Sequence, residues 1–433
     1  MRKIILLVFI SLLGIKAMAQ AEPANYAAAV SRFTTFYNTN QPDSIYKTFG
    51  PEMTSALSFD NFKATTTQLK NQLGNLTQTS FTSFASQVAI YKATFQNGAL
   101  ALSIVLNKQN QIIGLLLKPL PPPAVASSNV DPSLDESPFT VKTLSCTIHG
   151  TLTMPKNASG KIPVVIIIAG SGPTDRDGNG PKQMPDSLRL NCNAYKDIAE
   201  ALGKNGIASV RYDKRMVGES ITNNKESDLR FDDYVDDAVV IIQTLNQDER
   251  FSKVILLGHS EGSLIGMIAC RDEPVKAFIS IAGAGDQADK VVTEQLKSKP
   301  QYMQDEFKTL LDSMKKGKTI DNIDPRMYFI ARPSIQRYLM SWFRYPPARV
   351  IKTLKIPVLI IQGTTDLQVG VGDAEKLKKA KSDATLLIIP GMNHVLKDAP
   401  ADRDKNLATY NNPDLPLKAE LMPGIISFIN GVN

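Results

Sequence analysis

The strongest constraint on this chain is an abrupt change of period at one point. Val254-Ile-Leu-Leu is an unbroken apolar run. It breaks into Gly258-His259-Ser260-Glu261-Gly262, and a Ser-Leu-Ile-Gly-Met-Ile-Ala stretch with helical spacing follows. A buried strand that becomes a helix so quickly needs residues without Cβ atoms on both sides of the turn, because the backbone is strained and the two elements pack closely. Gly258 and Gly262 meet that need. The pattern is that of a nucleophile elbow, with Ser260 above a helix N-terminus whose N–H groups and dipole favour developing negative charge. The blander reading is a plain strand-turn-helix junction.

A serine is a weak nucleophile without a base to take its proton and a carboxylate to hold that base. The chain has three histidines. His259 adjoins the serine inside the turn and is expected to point away from it. His149 sits in Thr147-Ile-His-Gly-Thr-Leu-Thr-Met154, whose alternation reads as a strand. His394 follows the apolar Ala384–Ile389 run in a Gly-containing loop, the strand-end position suited to a base. Asp366 ends another such run, Pro357-Val-Leu-Ile-Ile-Gln-Gly-Thr-Thr-Asp.

A loop aspartate is often only a turn former, and an Asn-His pair is often a solvated surface group. What selects Asp366 and His394 is that they fall at strand ends in the order Ser260, Asp366, His394. Of the rival acids, Asp373 opens an expected helix and Asp398 follows the base.

Apolar runs alternate with helix-like segments around these points, as a doubly wound, mostly parallel sheet requires. Strands are expected near 164–169, 207–212, 254–259, 276–282, 357–362 and 385–389. Between about 286 and 347 the alternation stops, and a helix-rich insertion expected to cap the site ends in an aromatic and Met-rich run, Met327–Tyr345. Those side chains fit either an apolar acyl or alcohol pocket or simple packing of the cap onto the sheet.

With these motifs, residues 139–431 resemble the α/β-hydrolase superfamily, and more closely the secreted bacterial serine carboxylesterases that carry an extra N-terminal domain of unknown function. Val164-Val-Ile-Ile-Ile-Ala-Gly-Ser-Gly-Pro-Thr-Asp-Arg-Asp-Gly-Asn179 resembles their oxyanion loop, with Ala169-Gly170 in place of the more common His-Gly. The resemblance implies that the backbone N–H of Ser171 or Gly172 pairs with that of Glu261 to hold a tetrahedral oxyanion. It implies ester hydrolysis through an acyl-enzyme on a small-molecule substrate, with no cofactor and no metal. A serine peptidase of the same fold and a non-catalytic binding protein are the alternatives.

One loop invites a different reading. Asp175, Asp177, Asn179, Gly180 and Asp186 fall at positions 1, 3, 5, 6 and 12 of a calcium-loop pattern. Against that, the last ligand is Asp, Pro181 and Pro185 interrupt the loop, and no helix pair flanks it. A hydrogen-bonded loop shaping the oxyanion hole is the expectation. Arg211–Ser220 resembles the loop after the fourth strand of such hydrolases. Arg215 or Arg176 could meet a substrate carboxylate, with structural ion pairs the plainer use.

Lys118-Pro-Leu-Pro-Pro-Pro and the small polar residues up to Pro138 cannot build a core and read as a semi-rigid linker over 119–138. It separates a small α+β domain, 24–118, from the catalytic domain, 139–433. The first domain shows a helix-like Tyr26–Phe33 and strand-like runs at 88–95, 99–106 and 112–117, with a hairpin loop over Asn107–Gln111.

Met1-Arg-Lys, an apolar run to Leu13 and Ala17-Met-Ala19 read as a signal peptide over 1–19, so bacterial export to the periplasm or medium is expected, with no membrane insertion after cleavage. Of the net charge of +7, Arg2, Lys3 and Lys16 belong to this leader, which leaves +4. No basic run interleaved with aromatics appears, so nucleic acid is not an expected partner. Cys146, Cys192 and Cys270 allow at most one disulfide and lack metal-site spacing.

Overall fold

A computed structural model describes residues 22–85, 87–119, 131–181, 189–222, 224–297 and 299–432. The expected leader, Asp186 of the calcium-like pattern and most of the Pro-rich tract lie outside these residues. The chain divides into two compact units, Met1–Ala126 and Ser127–Asn433.

The first unit runs α1 (Ala24–Asn38), α2 (Pro42–Tyr46), α3 (Pro51–Ala56), α4 (Phe59–Leu73) and then β1 (Leu76–Ala85), β2 (Val88–Phe95), β3 (Gly98–Leu106) and β4 (Ile112–Pro119). The four strands form an antiparallel sheet in sequence order. Tyr26, Ala29, Val30, Phe33 and Tyr37 make one apolar stripe on α1. The stripe packs into one core with Tyr91, Ala93, Leu102 and Ile104. In the turn before β4, the Asn107 side chain accepts from the N–H groups of Gln109 and Gln111, and Asn110 takes a left-handed φ of 59°. The sequence reading of 88–119 is met; β1 and α2 to α4 went unread.

The second unit is an eight-stranded sheet. Its strands are β5 (Leu134–Lys142), β6 (Thr147–Pro155), β7 (Ile162–Ile168), β8 (Ala208–Tyr212), β9 (Phe251–His259), β10 (Ala277–Ile281), β11 (Val358–Gly363) and β12 (Thr385–Ile389). They are ordered β12-β11-β10-β9-β7-β8-β6-β5. The six strands β7 to β12 are mutually parallel, and β6 and β5 continue antiparallel at one edge. The second unit therefore begins earlier than residue 139, because Leu134 is buried and pairs with Pro155. Pro138 had suggested linker, yet it lies within β5, where an edge strand tolerates the missing N–H.

Period-two alternation divides the core into two layers. Val164, Ile166 and Ile168 face one layer, with Val254, Leu256 and Ile360. Val165 and Ile167 face the other, with Ile255, Leu257 and Ile361. Helices α6 (Phe231–Asn246) and α7 (Glu261–Ala269) cover the first face, and α5 (Ala194–Lys204) and α15 (Leu421–Gly431) the second.

After β10 the expected insertion appears as α8 (Ala288–Leu296), α9 (Gln301–Lys315), α10 (Tyr328–Ala331) and α11 (Gln336–Trp342). Helices α12 (Pro347–Thr353), α13 (Val371–Ala380) and α14 (Arg403–Ala408) complete the unit. The strand order reverses direction between β7 and β9, and a ligand crevice in such a sheet opens at the carboxyl ends flanking that switch. No helix among the described residues is long and apolar enough to cross a membrane.

Candidate active site

The turn between β9 and α7 stands at that switch. Ser260 has φ 54° and ψ −118°, a region that costs a non-glycine residue about 1–3 kcal/mol and persists only when its surroundings impose it. The surroundings do so. A Cβ on Gly258 would lie 2.2 Å from Gly262 O, and one on Gly262 would lie 2.2 Å from Ile168 O, so the elbow is pressed against itself and against β7. The Ser260 N–H donates to Ile281 O on β10 at 2.9 Å, which pins the strained residue to the sheet.

Asp366 and His394 meet as expected from their places after β11 and β12. His394 Nδ1 is 2.8 Å from Asp366 Oδ2, and both side chains are buried. The other carboxylate oxygen, Oδ1, accepts from the backbone N–H of Gln368 and Val369 at 2.7 and 3.0 Å, and Gln362 Nε2 donates to Oδ2 at 3.2 Å. Burial pushes the Asp366 carboxyl up, but the imidazole charge, its hydrogen bond and the two N–H donors outweigh burial and hold the group below its ordinary pKa. Asp366 is thus an anion with the tautomer-fixing role open to it.

No hydrogen bond joins Ser260 Oγ to His394 among the described residues. Catalytic contacts of this kind often close only once substrate is bound.

Sequence reasoning missed the groups that hold the base in place. His259 Nε2 lies 2.9 Å from the backbone oxygen of His394, and its Nδ1 lies 2.9 Å from Tyr195 Oη. Burial first, and the neighbouring His394 second, push the His259 pKa down to about 3, so the ring is neutral. A carbonyl only accepts, so Nε2 carries the proton and Nδ1 accepts from Tyr195. Tyr195 Oη in turn accepts from the Gly170 N–H at 3.0 Å. Asn393 Nδ2 donates to Asn406 Oδ1 and Thr409 Oγ1, while Asn406 Nδ2 donates to Thr365 O beside the acid. No spacing rule signals these pairs.

The loop after β7 lies against Ser260. A Cβ on Gly170 would stand 3.2 Å from Ser260 Cβ. The Gly170 N–H is taken by Tyr195, whereas the N–H groups of Ser171, Gly172 and Glu261 donate to no described residue. All three residues line the same cavity as Ser260, about 510 Å³ in volume. Its apolar wall includes Leu264 of α7 together with Val292, Leu296, Ile330, Leu339 and Trp342 of the cap. Trp342 also stacks on Phe231 of α6 at 6.0 Å, so the aromatic run both lines the pocket and fastens the cap.

Residues 189–398 match the family described as serine aminopeptidase, S33, and residues 30–115 match a domain of unknown function, DUF3887. The chain is 27% identical over 330 residues to Esterase EstD of Thermotoga maritima, covering 72% of this chain and 73% of that protein. Among solved structures it is similar to Est1E from Butyrivibrio proteoclasticus, at 18% identity and a TM-score of 0.44 over 68% of this chain and 99% of that one. It is also similar to the Pyrococcus furiosus esterase Pf2001, at 13% identity and a TM-score of 0.44 over 69% and 92%.

The second unit has the α/β-hydrolase fold.

In this unit the remaining candidates engage other protein groups. Asp373 accepts from the Gly285 and Gly370 N–H groups at the start of α13, and Asp398 pairs with Lys418 at 2.7 Å. Arg176 bonds Asp213 and Glu219, and Arg215 bonds Asp237 and Asp233. In the calcium-like loop, Asp175 Oδ1 accepts from the N–H groups of Asp177 and Asn179 at 2.9 and 2.8 Å. Asp177 pairs with Arg211 at 2.7 Å, and Asn179 bonds Asn193. Their side chains are thus engaged within the protein, and no group able to hold a metal occurs among the described residues. All three cysteines are buried free thiols.

Proposed function

We propose that this hydrolase cleaves carboxylic esters of small molecules by two-step acyl transfer. The observation that carries the reading is the buried Asp366–His394 hydrogen bond, with His394 held by the histidine next to a strained serine that opens into an apolar cavity. His394 Nε2 takes the Ser260 proton as Oγ attacks the ester carbonyl. Asp366 steadies the imidazolium, and backbone N–H groups of Glu261 and of Ser171 or Gly172 receive the oxyanion. The imidazolium returns its proton to the departing alcohol, and water then releases the acid by the same steps. The similarity to EstD supports the ester as the substrate class. The cavity volume and its aliphatic and Trp lining fit an acyl or alcohol group of medium length or an aromatic one.

The family match to serine aminopeptidases favours a second reading, amide cleavage at the same serine. Purified protein assayed on p-nitrophenyl esters of increasing chain length, beside peptide p-nitroanilides and beside Ser260→Ala, decides between them. Ester turnover lost in Ser260→Ala is the expected result; turnover of anilides alone moves the assignment to a peptidase, and silence on both rejects catalysis. Export through the 1–19 leader is part of the proposal, supported by the charged, apolar and Ala-Met-Ala segments of that stretch. Amino-terminal sequencing of the protein from periplasm and medium tests it, with a start after Ala19 expected.

A further inference from the structure

Lys214 is a charged side chain to which the reaction above gives no part. It follows β8 in the run Asp213-Lys214-Arg215, where three consecutive side chains reach three different places. Asp213 Oδ1 accepts from the Arg176 N–H at 2.8 Å, Arg215 goes to Asp237 on α6, and Lys214 turns inward beside the nucleophile. Its side chain is 1% exposed. An ammonium so deeply buried is strongly destabilising unless it is matched.

The groups around Lys214 locate its effect. Nζ donates to Gly170 O at 2.5 Å. Glu261, equally buried, brings Oε1 to 3.8 Å, and the Tyr234 ring lies 4.8 Å from Nζ. Neither carboxylate oxygen of Glu261 accepts a hydrogen bond from a described residue, so Lys214 is the positive charge facing it. Tyr338 and Tyr234 also face that carboxylate, and burial first and the Glu261 charge second hold both hydroxyls above the ordinary phenol range.

Gly170 O belongs to the same planar peptide unit as the Ser171 N–H. In a trans peptide the two point in opposite directions, so a cation that grips the oxygen fixes the direction of the N–H. It also draws electron density toward the oxygen and makes the N–H a stronger donor. In the preceding peptide unit the Gly170 N–H is held by Tyr195 Oη, so the loop is clamped on both sides of the Gly170 Cα. The partner of Lys214 is the side chain of Glu261, whose own N–H is the other expected donor.

We propose that Lys214 is the positioning residue of the oxyanion hole, that through Gly170 O it aims and polarises the Ser171 N–H, and that Ser171 rather than Gly172 is the loop's donor. The inference rests on the acyl-transfer reading above. A group that acts this way strengthens binding of the oxyanion more than of the ester, so its loss lowers kcat and leaves KM nearly unchanged.

Lys214→Met alone leaves Glu261 as an unpaired buried charge, so the main variant is Lys214→Met/Glu261→Gln, which removes both charges and keeps the Glu261 N–H. Lys214→Gln in the Glu261→Gln background, which keeps an N–H donor at position 214 and leaves no unpaired carboxylate, is the second. Each is assayed by kcat and KM on a p-nitrophenyl ester and by the inhibition constant of a trifluoromethyl ketone. With that ketone, Ser260 Oγ adds to the carbonyl carbon, its proton passes to His394, and the carbonyl oxygen becomes the oxyanion.

The Lys214→Met double variant is expected to lose about 100-fold in kcat, the scale of one lost oxyanion donor, with KM changed by less than about threefold. Ketone affinity should weaken by the same factor as kcat/KM. Lys214→Gln/Glu261→Gln should lose about tenfold in kcat, an intermediate loss for a donor without charge. Native kcat and ketone affinity in either folded variant, or a rise in KM at native kcat, overturns the proposal. Absence of ester turnover in the native enzyme overturns it together with the reading it rests on. Native turnover with unaffected variants overturns the Lys214 role alone.

Discussion

Tyr195 Oη lies 2.9 Å from Nδ1 of His259, and that hydroxyl is the middle of a directed chain from the Gly170 N–H to the His394 carbonyl. The chain ties the loop after β7 to His394 through a second, neutral histidine. Every proton in it has one place to be, because Gly170 N–H only donates and the His394 carbonyl only accepts.

Tyr195→Phe would leave the Gly170 N–H and His259 Nδ1 without partners in a buried site. Each such group costs about 1–3 kcal/mol, so unfolding in urea should show a loss of about 2–6 kcal/mol. Steady-state assay should show a lower kcat as well, since both ends of the chain carry catalytic geometry. Native stability in this variant would show that the chain does not brace the site.

Asp366→Asn keeps the shape of the acid but reverses the hydrogen bond that selects the His394 tautomer. Activity should fall by about 10³- to 10⁴-fold while circular dichroism stays native, as expected when the orienting carboxylate of a triad is neutralised. A loss under tenfold would show that another group orients His394.

His259 ties stability to acid pH. Its ordinary pKa of 6.5 falls to about 3 on folding, chiefly through burial. The unfolded chain therefore binds a proton that the native chain refuses. The stabilising contribution is complete above about pH 6.5 and is lost as pH falls toward 3, by up to about 5 kcal/mol. Denaturant midpoints measured across that range should fall more steeply in the native protein than in His259→Gln. Equal slopes would show that the ring titrates normally.

Asp175 works in the opposite direction. Burial raises its carboxyl from 3.8 to about 6, against the N–H bonds from Asn179 and Asp177. The native state favours the protonated acid, so its contribution to stability is full below about pH 4 and disappears as pH rises through 6. Asp175→Asn keeps an oxygen for both N–H groups and removes the charge. At pH 7–8 this variant should be more stable by up to about 3 kcal/mol in chemical denaturation, and no gain there would refute the raised pKa.

Ser260, Asp366 and His394 were legible because each ends an apolar run, and a strand's carboxyl end in such a sheet faces the crevice. The bonds that support them were not. Tyr195 is 64 residues from His259, Lys214 is 44 from Gly170, and Asn406 is 41 from Thr365. Nothing in the local sequence of either partner marks the other. The Thr- and Ser-rich Leu76-Thr-Gln-Thr-Ser-Phe-Thr-Ser-Phe-Ala85 lacks an apolar alternation strong enough to stand out, yet it pairs with β2 from end to end, with register shifts at Thr77 and Thr82. Pro138 marked the end of a linker by composition and turned out to lie within the edge strand β5, because an edge position leaves one side of the backbone unpaired.

The sequence by itself determined the elements around the site and their order. A period of two sends neighbouring residues of β7, β9 and β11 to opposite layers of the core, and Gly258 and Gly262 permit a turn that no residue with a Cβ would. Both are short-range consequences of chain geometry. Only the tertiary structure decided which polar groups meet in the crevice. Tyr195 reaches His259, and Lys214 reaches Gly170, after β8 and α5 pack beside β7 and bring distant segments within hydrogen-bonding distance. Buried donors and acceptors then had to find partners among whatever the closed fold placed next to them.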